Sequence, residues 1–307
     1  MNSRRGDQWL VVGLVVGLGV GWGATQPLGK IAASTGHPPF ALLLWQTVVV
    51  VTVLGALTLI RGKGLKLTRR ALAFYGVVAL TGTIVPNTAF YISVARLPAG
   101  IMSILISTVP LIAFPMALAL GLDRIEPRRV LGLMLGLTGV ALIALPRTSL
   151  PEAAMLAYLP LAMVGPLFYA VEGTFVSRFG MAGMDPVQAM FGASLVALVV
   201  LVPLTLATGQ WVDPAPPWGR AELALVASSA IHAVLYATYV GLAARVGSVF
   251  ASQSSYVTTV SGLIWAMLLL GERFSSLVWM AAAVLLFGIS LVRPRPQVPM
   301  ADRRKHA

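Results

Sequence analysis

Ten apolar runs, each near the ~20 residues a membrane-crossing helix needs, follow one another along almost the whole of this chain. They cover roughly 9–33, 39–60, 70–94, 98–121, 127–146, 156–178, 185–208, 221–243, 247–270 and 275–293. Only 10% of the 307 residues are charged, against about 25% in an ordinary soluble domain, and the mean hydropathy is +0.87. A water-soluble fold cannot hide that much apolar surface, so the bilayer is the solvent and the fold class is all-α integral membrane. Gly36-His37-Pro38-Pro39, Asp185-Pro186 and Asp213 to Pro217 punctuate the runs with turn chemistry. Met1 to Arg5 before an apolar run resembles a signal peptide, but the run 9–33 is too long for one and reads as a retained first helix. The absence of Cys excludes disulfides, thiolate metal sites and Cys nucleophiles.

The two halves of the chain match without a gap at an offset of 149 residues. Ala95-Arg96 recurs as Ala244-Arg245, and Asp123-Arg124 as Glu272-Arg273. Ala117, Leu120, Leu137, Gly139 and Leu142 recur as Ala266, Leu269, Leu286, Gly288 and Leu291. Apolar identities are cheap in such a chain, whereas matched charges are not, because charges are scarce. Internal duplication in a polytopic membrane protein points to a transporter with its site between the repeats.

Charge sets the expected orientation. The net charge of +12 would suggest nucleic acid in a soluble protein, but here the basic residues sit in short loops and tails. With both termini cytoplasmic, seventeen of the 22 Lys and Arg fall inside and five (Lys30, Arg96, Arg147, Arg220, Arg273) outside. Each repeat holds five spans, an odd number, so the second half runs opposite to the first. The expected architecture is ten transmembrane helices as two inverted five-helix repeats, 9–146 and 156–293, followed by a basic cytoplasmic tail, 294–307.

Polar groups at bilayer depth mark the candidate path. In the eighth run His232, Tyr236 and Tyr239 share one helical face, and the repeat sets Thr83, Asn87 and Phe90 opposite them, with Tyr91 following. Trp22, Gln26 and Pro27 place a ring and an amide beside an expected kink, while Tyr169 and Trp265 add ring surface. In the ninth run Ser248, Ser252, Ser255 and Thr259 form a hydroxyl stripe, extended by Gln253, Ser254, Tyr256, Thr258 and Ser261; close helix packing explains small hydroxyls as readily as a wet path does. The candidate liners are thus Trp22, Gln26, Asn87, Tyr91, Tyr169, His232, Tyr236, Tyr239, Ser255 and Trp265. Glu172 is the one acid away from the ends of a run and is the candidate for proton coupling, the alternative being a fixed ion pair with Arg178. Lys30, near the outer end of the first run, reads as a membrane-end anchor. Gly13, Gly17 and Gly21 read as a small-residue stripe for a close helix contact. An imidazole without acidic or Cys partners does not make a metal site, and no cofactor is expected.

The chain resembles the drug/metabolite transporter superfamily, in the branch with two EamA-type repeats. The resemblance is carried by Gly21-Trp22-Gly23, Leu97 to Gly100, Pro110 and Leu270-Gly271-Glu272-Arg273, with Gly121-Leu122-Asp123-Arg124 as a degenerate counterpart. The second half departs from it, with Phe168-Tyr169-Ala170 where the first has its Trp-Gly signature. The resemblance implies ten helices, an inverted repeat, inner-membrane residence and export of small metabolites. Within the superfamily the chain is most similar to the amino-acid exporters, including the aromatic type. The expected function is export of neutral, aromatic or hydrophobic amino acids by alternating access; the alternative is a multidrug or other metabolite exporter of the same superfamily, for nucleobases or sugar-linked solutes. The partners are a small-molecule substrate and membrane lipid, not nucleic acid, and a monomer satisfies this reading. No nucleophile–base pair or phosphate-binding loop supports an enzyme or ATP drive.

Overall fold

The computed structural model of the chain describes residues 2–121, 124–144, 152–246 and 254–292. These residues contain helices and no strand. Ten helices stand where the ten apolar runs lie: α1 (Asn2–Ala33), α2 (Pro39–Ile60), α3 (Arg69–Arg96), α4 (Ala99–Ala119), α5 (Pro127–Ala144), α6 (Ala153–Phe179), α7 (Pro186–Ala207), α8 (Arg220–Val246), α9 (Ser254–Leu270) and α10 (Ser276–Leu291). Among the described residues, seven helices (α1 to α4 and α6 to α8) hold stretches long and apolar enough to cross a membrane, while α9 and α10 are shorter apolar helices. Asp123, Ser248, Ser252, Gln253 and the tail 294–307 lie outside the described residues.

Local chemistry starts the helices where the sequence suggests. Pro39, Pro127 and Pro186 are first helical residues, where a missing N–H costs nothing. Asp185 closes a capping box on α7: its Oδ1 accepts from Val187 N at 2.9 Å and Gln188 N at 3.2 Å, and Gln188 Oε1 accepts from Asp185 N at 3.2 Å.

Two helices depart from the uniform spans expected of them. In α3, Ala79–Ile84 is a π-helical turn. Pro86 follows it, and a proline ring collides with the carbonyl four residues back; the wider turn absorbs that conflict. The segment α4 is broken at Ser107 and Thr108, whose amides reach back only three residues, to Ile104 O and Leu105 O. Pro110 lacks the N–H that Ile106 O would otherwise accept, so the tighter geometry carries the chain past the gap.

Packing is tightest where a side chain is missing. α2 runs antiparallel to α7: Thr205 donates to Phe40 O, Gly55 faces Phe191, and Arg61 pairs with Asp185. α5 runs antiparallel to α10, with Gly132 against Gly288 and Gly139 against Ala281 and Leu285. Exchanging the halves by 149 residues converts the neighbours of Gly139 into the Gly132 and Gly136 neighbours of Gly288, so this contact maps onto itself. The close glycine contact of α1 keeps only Gly21 of the expected stripe. Gly13 and Gly17 meet nothing; instead Gly19 and Gly23 lie against Ser254, Val257 and Ser261 of α9, and Gly21 meets Leu235 of α8. Leu59, Val199, Leu268 and Phe287 are large and exposed, as suits a surface wetted by lipid tails.

The helix ends are interlocked. At the C-terminal end of α2, Asp185 takes Arg61 at 3.3 Å and Lys63 at 2.8 Å, Gln188 Nε2 donates to Gly64 O at 2.7 Å, and Lys66 donates to Gly183 O. Partial burial pushes the Asp185 carboxyl up, but the Lys63 and Gln188 hydrogen bonds and the two cations outweigh it and hold it below the ordinary aspartate range. At the N-terminal end of α2, Phe40 N donates to Gln210 Oε1 at 3.0 Å, Trp45 Nε1 donates to Val212 O at 3.0 Å, and His37 meets Glu222 at 3.2 Å. Lys30 is no loose anchor: it donates to Val94 O and Leu97 O at the end of α3, while the Glu272 carboxylate accepts from Ala99 N and Gly100 N at the start of α4. Cation on a helix C-terminus and anion on the next N-terminus together pin the α3–α4 turn.

Candidate functional site: a central cavity

A cavity of about 290 Å³ lies between α1, α3, α4, α6, α8 and α9, with Gln46 reaching it from α2. Nine of the ten candidate liners meet there: Trp22 and Gln26 from α1, Asn87 and Tyr91 from α3, Tyr169 from α6, His232, Tyr236 and Tyr239 from α8, and Ser255 from α9. Glu172 joins them from α6. Trp265 does not. Its indole N–H donates to Val20 O at 3.1 Å, which turns the ring onto α1 and away from the cavity.

Helix geometry explains the gathering. Asn87 and Tyr91 are one turn apart, as are His232 and Tyr236, so each pair presents one face. Pro27 and Pro166 sit inside α1 and α6, where each removes a backbone donor close to the cavity wall. The break in α4 brings Ser107 to the wall, and Thr259 of α9 donates to its Oγ at 2.6 Å.

Two hydrogen-bond chains order the polar side chains. Tyr91 Oη donates to Gln46 Oε1 at 2.7 Å, Gln46 Nε2 to Asn87 Oδ1 at 3.4 Å, and Asn87 Nδ2 to Thr83 O at 2.8 Å. Separately, Tyr236 Oη donates to Glu172 Oε1 at 2.7 Å. Glu172 is 3% exposed, and no described cation pairs with it; Arg178, its expected alternative partner, stacks instead on the Phe179 ring. The carboxylate is pressed against Gly82 in the π-helical turn: a Cβ there would lie 2.6 Å from Oε2. Trp22 and Tyr239 meet edge to face at 5.2 Å and close one side. Among the described residues no three His, Cys, Asp or Glu side chains gather as a metal site would require.

The EamA-like transporter family model matches this chain twice, over residues 9–145 and 156–293. The chain belongs to the EamA-like transporter family. It is a membrane transporter on that ground, and its ten helices fit the family. It is 27% identical over 290 residues to the uncharacterized inner membrane transporter YedA of Escherichia coli strain K12, a match covering 91% of this chain and 89% of YedA. YedA of Escherichia coli O157:H7 matches equally. A solved crystal structure 18% identical to the chain superposes with a TM-score of 0.60, covering 94% of this chain and 98% of the other, which speaks for the fold alone.

In this EamA-like chain the cavity draws its wall from both matched regions, with residues from Trp22 to Val109 on one side and from Ala162 to Thr258 on the other. Sequence reasoning missed Gln46, Thr25, Met102 and Ser228. Gln46 was the most findable, as the only amide in a run of Leu, Val and Thr. The hydroxyl stripe of α9 divides by role. Ser255 and Thr258 line the cavity, whereas Ser261 donates to Gly19 O and Thr259 to Ser107, as packing contacts do.

Proposed function

We propose that the protein is a secondary exporter of small metabolites in the inner membrane, built from two inverted repeats, 9–146 and 156–293, that alternate access to the central cavity. Neutral, aromatic or hydrophobic amino acids are the favoured substrates. The observation that carries this reading is the lining, which among the described residues offers rings from Trp22, Tyr91, Tyr169 and Tyr239, amides from Gln26 and Asn87, one acid, and no Lys or Arg. Such a wall suits an amphipathic solute with an apolar body and disfavours phosphates and nucleotide-linked sugars, which call for cations. The self-matching antiparallel contacts of α5 with α10 support the inverted repeat, because exchange of two antiparallel helices requires a twofold axis across them. Inner-membrane residence is supported by the likeness to YedA. Glu172 couples transport to a proton, a reading supported by its burial without a cationic partner among the described residues.

Counterflow in proteoliposomes tests the proposal. Vesicles preloaded with unlabelled amino acids are offered labelled ones singly. Saturable exchange of an aromatic or hydrophobic subset is the expected result; no exchange of any amino acid by inserted, folded protein would overturn the substrate class.

A further inference from the structure

Gln26 is 9% exposed, and its Oε1 is buried without a hydrogen-bond partner. Its side chain lines the cavity one residue before the proline of α1. A buried carbonyl oxygen left unpaired is a standing cost, which a donor arriving in the cavity removes. Nothing holds Oε1 against the wall, so a half-turn of the amide presents it to that donor. Three neighbouring groups already spend a donor: the Tyr91 phenol on Gln46, one Asn87 amide N–H on Thr83 O, and the Tyr236 phenol on Glu172. Among the described residues the only charged side chain in the lining is a carboxylate, Glu172. A protonated amine matches this wall, since it brings donors and a positive charge to an open acceptor, an acid and the faces of aromatic rings. A solute carboxylate would meet no described cation there.

We propose that the solute is recognised through a protonated amine that donates to Gln26 Oε1, and that a carboxylate on the solute adds nothing to its binding. This rests on the reading of the cavity as the transport site. Aryl-alkyl amines then bind as well as the matching amino acids, and desamino acids do not.

Binding to the detergent-solubilised full chain decides this without transport. Phenethylamine, phenylalaninol, phenylalanine and 3-phenylpropionate are titrated by thermal shift. The first two should bind at least as tightly as phenylalanine, and 3-phenylpropionate about 10-fold or more weakly. Gln26→Leu should weaken phenethylamine about 10-fold, whereas Gln26→Glu, which keeps an acceptor, should retain it. Tight 3-phenylpropionate, absent phenethylamine binding, or a Gln26→Leu protein that binds the amine like wild type would each overturn the proposal. If Gln26→Leu does not fold, the ligand series on wild type still decides. Amine binding without exchange in proteoliposomes would sustain the recognition rule and remove the transport reading instead.

Discussion

Glu172 is held by one phenol and by the lack of a side chain at Gly82. That arrangement leaves its charge open to a proton and its position sensitive to a single methyl. Glu172→Gln should abolish accumulation driven by a pH gradient, with exchange at matched pH persisting at lower affinity; unchanged accumulation would remove Glu172 from coupling. Gly82→Ala places a Cβ inside the carboxylate and should force Glu172 off Tyr236. The expected effect is a fall in exchange of about 10-fold, the scale of one hydrogen bond to a charged group, read as initial rate in proteoliposomes. Most of this site was legible because helical spacing is: Asn87 with Tyr91 and His232 with Tyr236 fall on one face by arithmetic alone. Trp265 shows the limit of that arithmetic. Its ring type suggested a cavity liner, but side-chain direction on α9 depends on the neighbour, and α1 offered the Val20 carbonyl.

At the scale of the element, the existence of all ten helices was legible from apolar length, and their interruptions were not. Pro86 and Pro110 were visible in the sequence, but a proline inside an apolar run does not say whether the backbone answers with a π-helical turn or a break. Of the glycine stripe expected of α1 only Gly21 lies in a close contact, against Leu235, while Gly13 and Gly17 face nothing and the α9 contact falls to Gly19 and Gly23. Which glycine lies in a contact is a property of two helices, so one sequence period cannot settle it. Gly288→Val should lower the thermal stability of the detergent-solubilised protein by about 1–3 kcal/mol, since its new Cβ lies 2.6 Å from Gly132 O and from Gly136 N, which are backbone atoms that cannot turn aside. Asp185→Asn removes both ion pairs but leaves an amide oxygen to cap α7, so the loss is that of the partly exposed pairs, about 1 kcal/mol or less. The Asp185 carboxyl is depressed on folding, so its contribution is fully present above the ordinary aspartate pKa of about 3.9 and is lost as pH falls through the lower folded value. Unfolding temperatures of wild type and Asp185→Asn should therefore differ at neutral pH and converge below about pH 4.

Over the whole molecule, the two family matches and the shared cavity make the halves one working unit. The proposed inversion predicts sidedness. Cysteines introduced singly into this Cys-free chain at Arg96 and Arg273 should react with an impermeant reagent from outside, and those at Arg124 and Arg245 from inside. The opposite pattern would reverse the topology, and a mixed one would dismantle the inversion. The acidic–Arg match at offset 149 signalled the duplication in the sequence, yet of its two acids only Glu272 is described, and there it caps α4.

The interlocks at the two ends of α2 are not chemically alike. One is held by Arg61 and Lys63 on Asp185, all partly exposed; the other relies mainly on the amide of Gln210 and the indole of Trp45, with His37 on Glu222 beside them. Dissolved salt screens exposed charges over a Debye length of about 8 Å at physiological ionic strength and hardly touches a neutral hydrogen bond. Ionic strength thus acts as a one-sided lever on this molecule: it slackens the Asp185 latch and leaves the Gln210 latch fastened.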